Sequence, residues 1–198
     1  MSTRTVIVDY GMGNLRSVQK ACEHLGYAAH IQTDLAGADK VIVPGVGAFG
    51  AAMENLAQLA DDLREWAAAG KPLLGICLGQ QLLFESSEER GSFGGLAILK
   101  GVVKYLPKDT GLKVPHIGWS ELTIEQEDGL LQGVDQGSRV YFVHSLYTEC
   151  EEGVAAATTV YGVRFASAVQ RDNVWGTQFH PEKSGGIGLS ILRNFLAC

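Results

Sequence analysis

The chain has 198 residues, of which 46% are hydrophobic and 19% are charged. This composition excludes a disordered or collagen-like chain, and the length fits one packed domain over residues 1–198. The net charge of −6 argues against sequence-independent binding of nucleic acid, which depends on clustered Lys and Arg.

The N-terminal segment from Met1 to Asp9 reaches an acidic residue after one short apolar run. Neither a signal peptide nor a membrane span of about 20 apolar residues can be drawn there or elsewhere in the sequence. We therefore expect a cytoplasmic protein that makes no contact with a membrane.

In the first half of the chain, short β-branched runs alternate with longer helical patterns. The runs are typical of buried parallel strands, and apolar residues that recur every three or four positions predict helices with one buried stripe. The predicted elements are strands at 5–9, 40–43 and 73–76 and helices at 15–25 and 53–67.

After about Gly91 the pattern changes to short apolar runs separated by glycines. These runs predict further strands, some of them antiparallel, before a last helix at 189–196. The predicted strands are 96–99, 102–106, 139–143, 155–160 and 174–178. The whole order favours an α/β fold: one mixed, mainly parallel sheet flanked by helices, with added antiparallel strands.

The segment around Cys77 predicts a nucleophile elbow. An apolar strand leads into Gly75-x-Cys77-x-Gly79, and a helical pattern begins just beyond. Glycines two residues before and after a nucleophile leave room for a tight, strained turn, and the start of a helix favours a thiolate. The alternative is a core cysteine in an ordinary strand-to-helix turn.

A second segment supplies a candidate base. His180 stands at the end of a predicted strand, with Pro181 next and Glu182 two residues on. Pro181 disfavours helical geometry at His180, so the spacing is expected to stay extended, with both side chains on one side. Glu182 would then hold the imidazole in the tautomer that accepts a proton, and Cys77, His180 and Glu182 form a candidate catalytic triad.

Amide hydrolysis requires these three residue types together with donors for an oxyanion. A thiolate attacks the carbonyl carbon, the histidine protonates the departing nitrogen, and water hydrolyses the thioester. The backbone N–H of Leu78, directly after the cysteine, is one expected donor. The glycine turn Gly45-Val46-Gly47, after the predicted strand at 40–43, is expected to supply another.

The stretch from Gly45 to Gly50 also matches the dinucleotide fingerprint GxGxxG. That fingerprint belongs after the first strand and needs an acidic residue at the end of the next strand, whereas Asp61 and Asp62 lie in a helical pattern. No phosphate loop of the GxxxxGK type occurs in the sequence. We therefore expect no nucleotide cofactor.

The remaining histidines and cysteines do not form a metal motif. His24, His30 and His116 have no companions at ligand spacing, and the four cysteines are scattered, so we expect no metal. We expect His24 and His30 to be solvated or packed. His144 ends a strand-like run, where polar side chains enter pockets at the carboxyl edge of a sheet, and this predicts a substrate contact.

With the elbow, the glycine turn and the His-Pro-Glu ending in place, the chain resembles the class I, triad-type glutamine amidotransferases over nearly its whole length. Four segments within it are similar to the glutaminase subunits of imidazole glycerol phosphate synthases. These segments are Pro44-Gly-Val-Gly-Ala-Phe, His116-Ile-Gly-Trp, Tyr141-Phe-Val-His-Ser and Gln178-Phe-His-Pro-Glu-Lys-Ser-Gly.

The resemblance implies a flavodoxin-like class I amidotransferase fold and a heterodimer. In it, this chain would make ammonia from L-glutamine, and a separate barrel-type cyclase subunit of the histidine pathway would consume the ammonia. It also implies that Gln81 and Glu89 hold glutamine, with Ser145 and Leu146 lining the same pocket.

The resemblance places three further residues at the interface with the cyclase subunit. These residues are Asn14, Trp119 and Lys183. The alternative is that Trp119 belongs to the core and that Lys183 is a solvated charge.

Two positions depart from the family pattern, with Gln80 where methionine is expected and Leu146 where tyrosine is commoner. Two other functions stay open at this point. One is an amidotransferase subunit of another pathway, serving anthranilate or pyridoxal phosphate synthesis. The other is a non-enzymatic relative with a degenerate site, which would lack a reactive thiol at Cys77.

Overall fold

The computed structural model describes residues 3–198, so the first two residues of the N-terminal segment considered above lie outside the described part. Within that part the chain forms fourteen strands and five α-helices. The strands are β1 (Thr5–Val8), β2 (Ala29–Gln32), β3 (Lys40–Gly45), β4 (Leu73–Cys77), β5 (Ser86–Ser87), β6 (Phe93–Gly94), β7 (Gly101–Tyr105), β8 (His116–Glu121), β9 (Thr123–Ile124), β10 (Arg139–His144), β11 (Leu146–Cys150), β12 (Ala155–Tyr161), β13 (Val163–Arg171) and β14 (Val174–Thr177). The helices are α1 (Leu15–His24), α2 (Phe49–Leu56), α3 (Ala60–Ala68), α4 (Leu78–Leu82) and α5 (Gly185–Ala197).

The main sheet has eight strands in the order β2-β1-β3-β4-β14-β13-β12-β9. The first five of these strands run parallel, and β13, β12 and β9 extend the sheet with antiparallel pairings. The predicted mixed, mainly parallel sheet is therefore confirmed for the central layer.

Helices cover both faces of this sheet. Val41 and Val43 of β3 point into the core shared with α2 and α3, whereas Ile42 points into the core shared with α1 and α5. Alternate residues of a strand face opposite sides, so a strand buried on both faces must be apolar at nearly every position. This is why the central runs of the sequence contain almost no polar residues.

The predicted helix at 53–67 is wrong as one element, because the structure divides it into α2 and α3. Between them, the N–H of Leu59 donates to the carbonyl of Leu56 at 2.8 Å, a tightened turn that keeps both leucines buried. Asp61 and Asp62 lie in the first turn of α3, where carboxylates stabilise a new helix N-terminus. The apolar stripe continues across the break, so periodicity alone did not reveal it.

The predicted strand at 96–99 is also wrong. Leu96 and Leu99 are buried, but the backbone of this segment donates hydrogen bonds to the carbonyls of Leu82, Leu83 and Phe84 at the end of α4. The segment therefore satisfies the unpaired carbonyls of a helix end, as helix termini require.

The antiparallel strands do not all join the main sheet, which differs from the expected single sheet. β8 pairs with β10, and β11, β7, β5 and β6 form a third sheet, in the part of the chain that the structure describes. Ser145 is the one residue between β10, which belongs to the two-stranded sheet, and β11, which belongs to the four-stranded sheet.

Candidate active site

The predicted elbow is present at the end of β4. Cys77 has φ 56° and ψ −110°, a conformation that is unfavourable for a residue with a side chain and that occurs at nucleophile elbows. A Cβ atom on Gly79 would overlap the carbonyl oxygen of Val43, and one on Gly75 would lie 2.6 Å from the backbone nitrogen of Gln80. Both positions therefore require glycine.

The strand order places the glycine turn next to this cysteine. Gly45 at the end of β3 lies directly opposite Cys77 in the parallel pairing of β3 and β4. The Tyr10 hydroxyl donates to the carbonyl of Pro44 at 2.8 Å and holds the start of the turn. Gly47 has φ +111°, a conformation that only glycine adopts without strain.

His180 and Glu182 follow β14, the other neighbour of β4. His180 Nδ1 and Glu182 Oε1 are 2.9 Å apart, and their side chains are 3% and 1% exposed. His180 is extended as predicted, with φ −96° and ψ 100°. The expectation that the spacing stays extended is wrong beyond it, because residues Pro181–Lys183 form a 3₁₀ turn, and this turn brings Glu182 back to the ring.

The electrostatics of this pair favour a charged imidazole. Burial of the His180 ring lowers its pKa, but hydrogen bonding and charge interactions with Cys77 and Glu182 outweigh burial and raise the pKa to about 9. Among the described residues, His180 Nε2 has no partner that meets hydrogen-bond distance and angle limits. Nε2 is therefore free for a proton transfer.

A cavity of about 320 Å³ opens beside the Cys77 side chain. Its walls include most of the residues predicted for the oxyanion site and for glutamine binding. They are Val46, Gly47, Leu78, Gln81, Glu89, His144, Ser145 and Leu146, together with Pro115 and Val143. Gly45 is not part of the wall but lies beneath it, where a Cβ atom would stand 2.9 Å from the Leu78 Cβ.

Glu89 has a contact that the sequence did not predict. One carboxylate oxygen accepts a hydrogen bond from the backbone N–H of Phe49 at 2.5 Å, the first residue of α2. The carboxylate thereby links the cavity rim to the helix that follows the glycine turn, and it compensates an unpaired N–H at a helix N-terminus.

Gln178 is a site residue that sequence reasoning missed. Its Oε1 accepts from Gln81 Nε2 at 2.9 Å, and its Nε2 lies 3.8 Å from Cys77 Sγ. It stands two residues before His180, directly after β14, and in an extended chain this spacing places both side chains on one side. That alternation was the available signal.

Ser184 is a second missed residue. Its hydroxyl donates to the carbonyl of His180 at 2.6 Å and accepts from the N–H of Tyr141 at 2.9 Å, while the N–H of His180 donates to the carbonyl of Tyr141. This closed set of bonds fixes the histidine backbone against β10. No pattern in the sequence indicated it.

The other histidines divide into two groups. His24 and His30 are exposed, as expected. His116 and His144 are buried and face each other across β8 and β10, with His116 Nδ1 2.9 Å from His144 Nε2. Burial lowers the pKa of each ring to about 4, so both are neutral at pH 7. Residues 3–198 contain no group of three side chains placed to hold a metal ion.

The three residues predicted at an interface lie around the 3₁₀ turn. Lys183 is exposed within it, and Trp119 is 53% exposed and packs edge-on against Tyr141 at 6.1 Å. The Trp119 side chain is therefore not in the core. Asn14 precedes α1, a helix that packs against the same turn, and its Oδ1 accepts from Ser17 Oγ at 2.9 Å.

The two departures from the family pattern have different surroundings. Gln80 is fully buried, and neither polar atom of its side chain has a partner among the described residues. Leu146 contributes its backbone carbonyl to the site, since this oxygen accepts from both Gln81 and His144.

A model of the family "Glutamine amidotransferase class-I" matches residues 6–198. The chain is 52% identical over 195 residues to the imidazole glycerol phosphate synthase subunit HisH of Moorella thermoacetica, covering 96% of this chain and 92% of the relative. It is 50% identical to the HisH subunit of Methanosarcina barkeri, covering 98% of both chains.

Solved structures share the fold at lower identity. Thermotoga maritima PurLQS superposes with a TM-score of 0.76 at 22% identity, over 100% of this chain and 99% of the other. A structure described as a glutamine amidotransferase gives a TM-score of 0.76 at 21% identity, over 98% and 97% of the two chains. By its family match and its close relatives, the chain belongs to the class I glutamine amidotransferases, in the group of the HisH subunits of imidazole glycerol phosphate synthase.

Proposed function

We propose that this chain hydrolyses L-glutamine to glutamate and ammonia through a thioester on Cys77. The observation that carries the proposal is the meeting of three neighbouring strand ends. β3 supplies the glycine turn, β4 supplies a cysteine at positive φ, and β14 leads to a buried His180–Glu182 pair. Residues that follow β3 and residues at the end of β4 line a cavity large enough for an amino acid, and the His180–Glu182 pair follows the strand next to β4.

The proposed reaction begins with attack of the Cys77 thiolate on the side-chain amide carbon of glutamine. The proton that leaves the thiol is held by His180, whose raised pKa favours imidazolium. His180 then gives this proton to the departing nitrogen, and ammonia leaves. A water molecule attacks the thioester, His180 takes its proton, and glutamate departs with Cys77 restored.

Glu182 orients the base in this scheme and does not itself transfer a proton. Its Oε1 accepts from His180 Nδ1, so the proton on Nδ1 is fixed and Nε2 faces the reaction. This arrangement also stabilises the imidazolium that forms during the first step.

Backbone donors are proposed to stabilise the tetrahedral oxyanion. Leu78 follows the nucleophile at the start of α4, and the turn Gly45-Val46-Gly47 lies on the neighbouring strand. The positive φ of Gly47 lets this turn direct an N–H toward or away from the cavity at low cost. One missing donor changes the rate by about 10² to 10³, enough to hold hydrolysis back until a partner acts.

Glutamine is proposed to occupy the cavity between α4 and the turn that joins β10 to β11. Gln81 and Glu89 present an amide oxygen and a carboxylate there, and an α-amino group needs acceptors of this kind. His144, Ser145 and Leu146 form the opposite wall. We propose that no metal or cofactor takes part, since the cysteine supplies the covalent step.

The partner is proposed to be a barrel-type cyclase subunit. The relatives are named as subunits of imidazole glycerol phosphate synthase, and we propose that residues 1–198 form one glutaminase domain of such a heterodimer. The ammonia would serve cyclisation to imidazole glycerol phosphate in histidine biosynthesis, in the cytoplasm. No helix in residues 3–198 could cross a bilayer.

Half-buried Asn14 and exposed Trp119 and Lys183 form the proposed contact surface with the cyclase. A sheltered path for ammonia from Cys77 to the partner is required, because ammonia released into neutral water is mostly non-nucleophilic ammonium. The closeness of His180 to both Cys77 and Glu182 supports an enzyme over a non-enzymatic relative with a degenerate site.

Covalent labelling tests this function. The chain is incubated with a diazo-ketone analogue of glutamine, and the modified residue is located by peptide mass. We expect alkylation of Cys77 that glutamine suppresses, and loss of labelling in Cys77→Ala. Cys150→Ala is the matched control, since Cys150 is a half-buried thiol outside the cavity. Labelling that ignores glutamine, or that falls equally on Cys150, would contradict the proposed site.

A further inference from the structure

Four polar groups behind the cavity form one continuous hydrogen-bonded chain. Ser120 Oγ is 2.8 Å from His116 Nε2, His116 Nδ1 is 2.9 Å from His144 Nε2, and His144 Nδ1 is 2.7 Å from the carbonyl oxygen of Leu146. The reaction scheme above uses neither Ser120 nor His116. Both histidines are buried, so water does not replace these bonds.

The direction of every bond in this chain is determined by its end. A carbonyl oxygen only accepts, so His144 Nδ1 carries the proton. A neutral imidazole has a single N–H, so His144 Nε2 accepts and His116 Nδ1 donates to it. By the same rule His116 Nε2 accepts, and the Ser120 hydroxyl must donate. The Leu146 carbonyl thus sets the tautomers of both rings in sequence, and the Ser120 hydroxyl donates to the one ring nitrogen that is left.

The ring of His116 is held in place by aromatic stacking as well as by hydrogen bonds. It lies between Phe142, at 4.9 Å between centroids and 20° between planes, and Tyr161, at 3.9 Å and 16°. His116 is also the direct cross-strand partner of His144. The imidazole can therefore neither rotate away nor exchange its partner without disturbing the pairing of β8 and β10.

At its other end this series of hydrogen bonds reaches the amide of Gln81. The Leu146 carbonyl accepts a second bond, from Gln81 Nε2 at 3.2 Å, and the same nitrogen donates to Gln178 Oε1 at 2.9 Å. Both hydrogens of the Gln81 amide are thus used within the protein. The amide oxygen of Gln81, which lines the cavity, is left to accept from a ligand.

We propose that Ser120 and His116 are positioning residues for glutamine. Through His144 they fix the Leu146 carbonyl, and this carbonyl in turn sets the orientation of the Gln81 amide that faces the substrate. The inference deepens the proposed function and rests on the cavity being the glutamine site. Neither Ser120 nor His116 touches the reacting atoms.

The test compares variants that break the chain with variants that keep its donors. Ser120→Ala removes the first donor, and His116→Leu removes both ring nitrogens at similar volume. Ser120→Thr keeps the hydroxyl, and His116→Asn places an amide N–H near the position of Nδ1. Glutamate release is measured against glutamine concentration, with the cyclase subunit of a relative present.

We expect KM for glutamine to rise about tenfold in His116→Leu and about fivefold in Ser120→Ala, with kcat changed less than about threefold. The two conservative variants should stay within about threefold of the parent in KM. Unchanged KM in Ser120→Ala and His116→Leu would overturn the proposal, and so would equal losses in conservative and disruptive variants, since these indicate packing alone.

A spectroscopic measurement is independent of turnover. In ¹⁵N spectra of the whole protein, His116 and His144 should both be protonated at Nδ1, and Ser120→Ala should shift the Nε2 resonance of His116, which loses its hydrogen-bond donor. A proton on Nε2 of either ring in the parent would contradict the proposed series of hydrogen bonds from Ser120 to Leu146. If His116→Leu does not fold, the KM of Ser120→Ala and these spectra test the proposal. A parent protein that releases no glutamate contradicts the glutaminase proposal, whereas a normal parent with unaffected variants contradicts only the positioning role of Ser120 and His116.

Discussion

Gly79 lies so close beneath Val43 that the two residues fix the geometry of the elbow. A Cβ atom on Gly79 would overlap the Val43 carbonyl oxygen at the end of β3. The nucleophile turn and the glycine turn after β3 can therefore approach each other only because position 79 has no side chain.

Gly79→Ala is expected to destabilise the chain by about 3 kcal/mol, since backbone atoms of β3 would have to move. Gly186→Ala is the control: a Cβ there meets no atom within 4 Å, and in α5 it should stabilise by about 0.5 to 1 kcal/mol. Urea unfolding of both variants measures the difference. Equal stability of the two would contradict the close approach at Gly79.

Gln80→Met is expected to stabilise the chain. Gln80 is fully buried, and neither side-chain polar atom has a partner among residues 3–198. An unsatisfied buried polar group costs about 1 to 3 kcal/mol, and methionine has similar volume. Thermal unfolding should show a higher Tm, with glutamate release unchanged. A lower Tm would mean that Gln80 is satisfied in solution by buried water.

The protonation of His180 gives a pH-dependent prediction. Its pKa is raised from 6.5 to about 9 despite burial, through Cys77 and Glu182. A raised folded-state pKa contributes stability that is complete below pH 6.5 and is lost as the pH rises through about 9. The destabilisation caused by Glu182→Gln should therefore be larger at pH 6 than at pH 9.5, as measured by urea unfolding.

The raised pKa of His180 can also be measured directly. NMR titration should place the pKa of His180 above 6.5 in the parent and lower in Cys77→Ala, where the sulfur no longer offsets burial. Cys22→Ala, which removes a buried thiol within α1, is the control and should leave the titration unchanged. A His180 pKa that is the same in the parent and in Cys77→Ala would contradict the proposed interaction between the two side chains.

Trp119→Ala and Lys183→Ala are expected to weaken association with a cyclase subunit. Truncating a well-placed interface residue costs about 2 kcal/mol, or roughly 30-fold in Kd. Lys71→Ala is the matched control, because this exposed lysine precedes β4 and lies at the opposite edge of the sheet from Cys77. Calorimetric titration gives Kd, and the Tm of each variant should stay near that of the parent.

If Kd is unchanged for both Trp119→Ala and Lys183→Ala, the proposed contact surface is wrong. A rise in Kd of the same size for Lys71→Ala would point to a general charge effect.

Much of the site could be predicted because its residues are adjacent in sequence to strands. The runs that end at Cys77 and lead to His180 are apolar and short, and parallel strands bring their carboxyl ends to one edge. The glycines at 75 and 79 also had a local physical reason, since a tight turn leaves no room for side chains.

Other features depended on pairings that a single sequence does not contain. The contact of His116 with His144 requires the register of β8 against β10, and Ser184 reaches Tyr141 only after the 3₁₀ turn folds back. Leu96 and Leu99 have the apolar pattern of a strand, but their backbone N–H groups donate to carbonyls at the end of α4. Local periodicity reports which side chains are buried, whereas it does not report which backbone partner they meet.

The most direct test of the central claim is glutamate release from glutamine by the parent chain and by Cys77→Ala, each mixed with a cyclase subunit of a relative, with and without the ligand of that cyclase. We predict release by the parent that the ligand accelerates, and a loss of several orders of magnitude in Cys77→Ala with Kd for the cyclase unchanged. Glutamate release by Cys77→Ala at a rate near that of the parent would contradict the account.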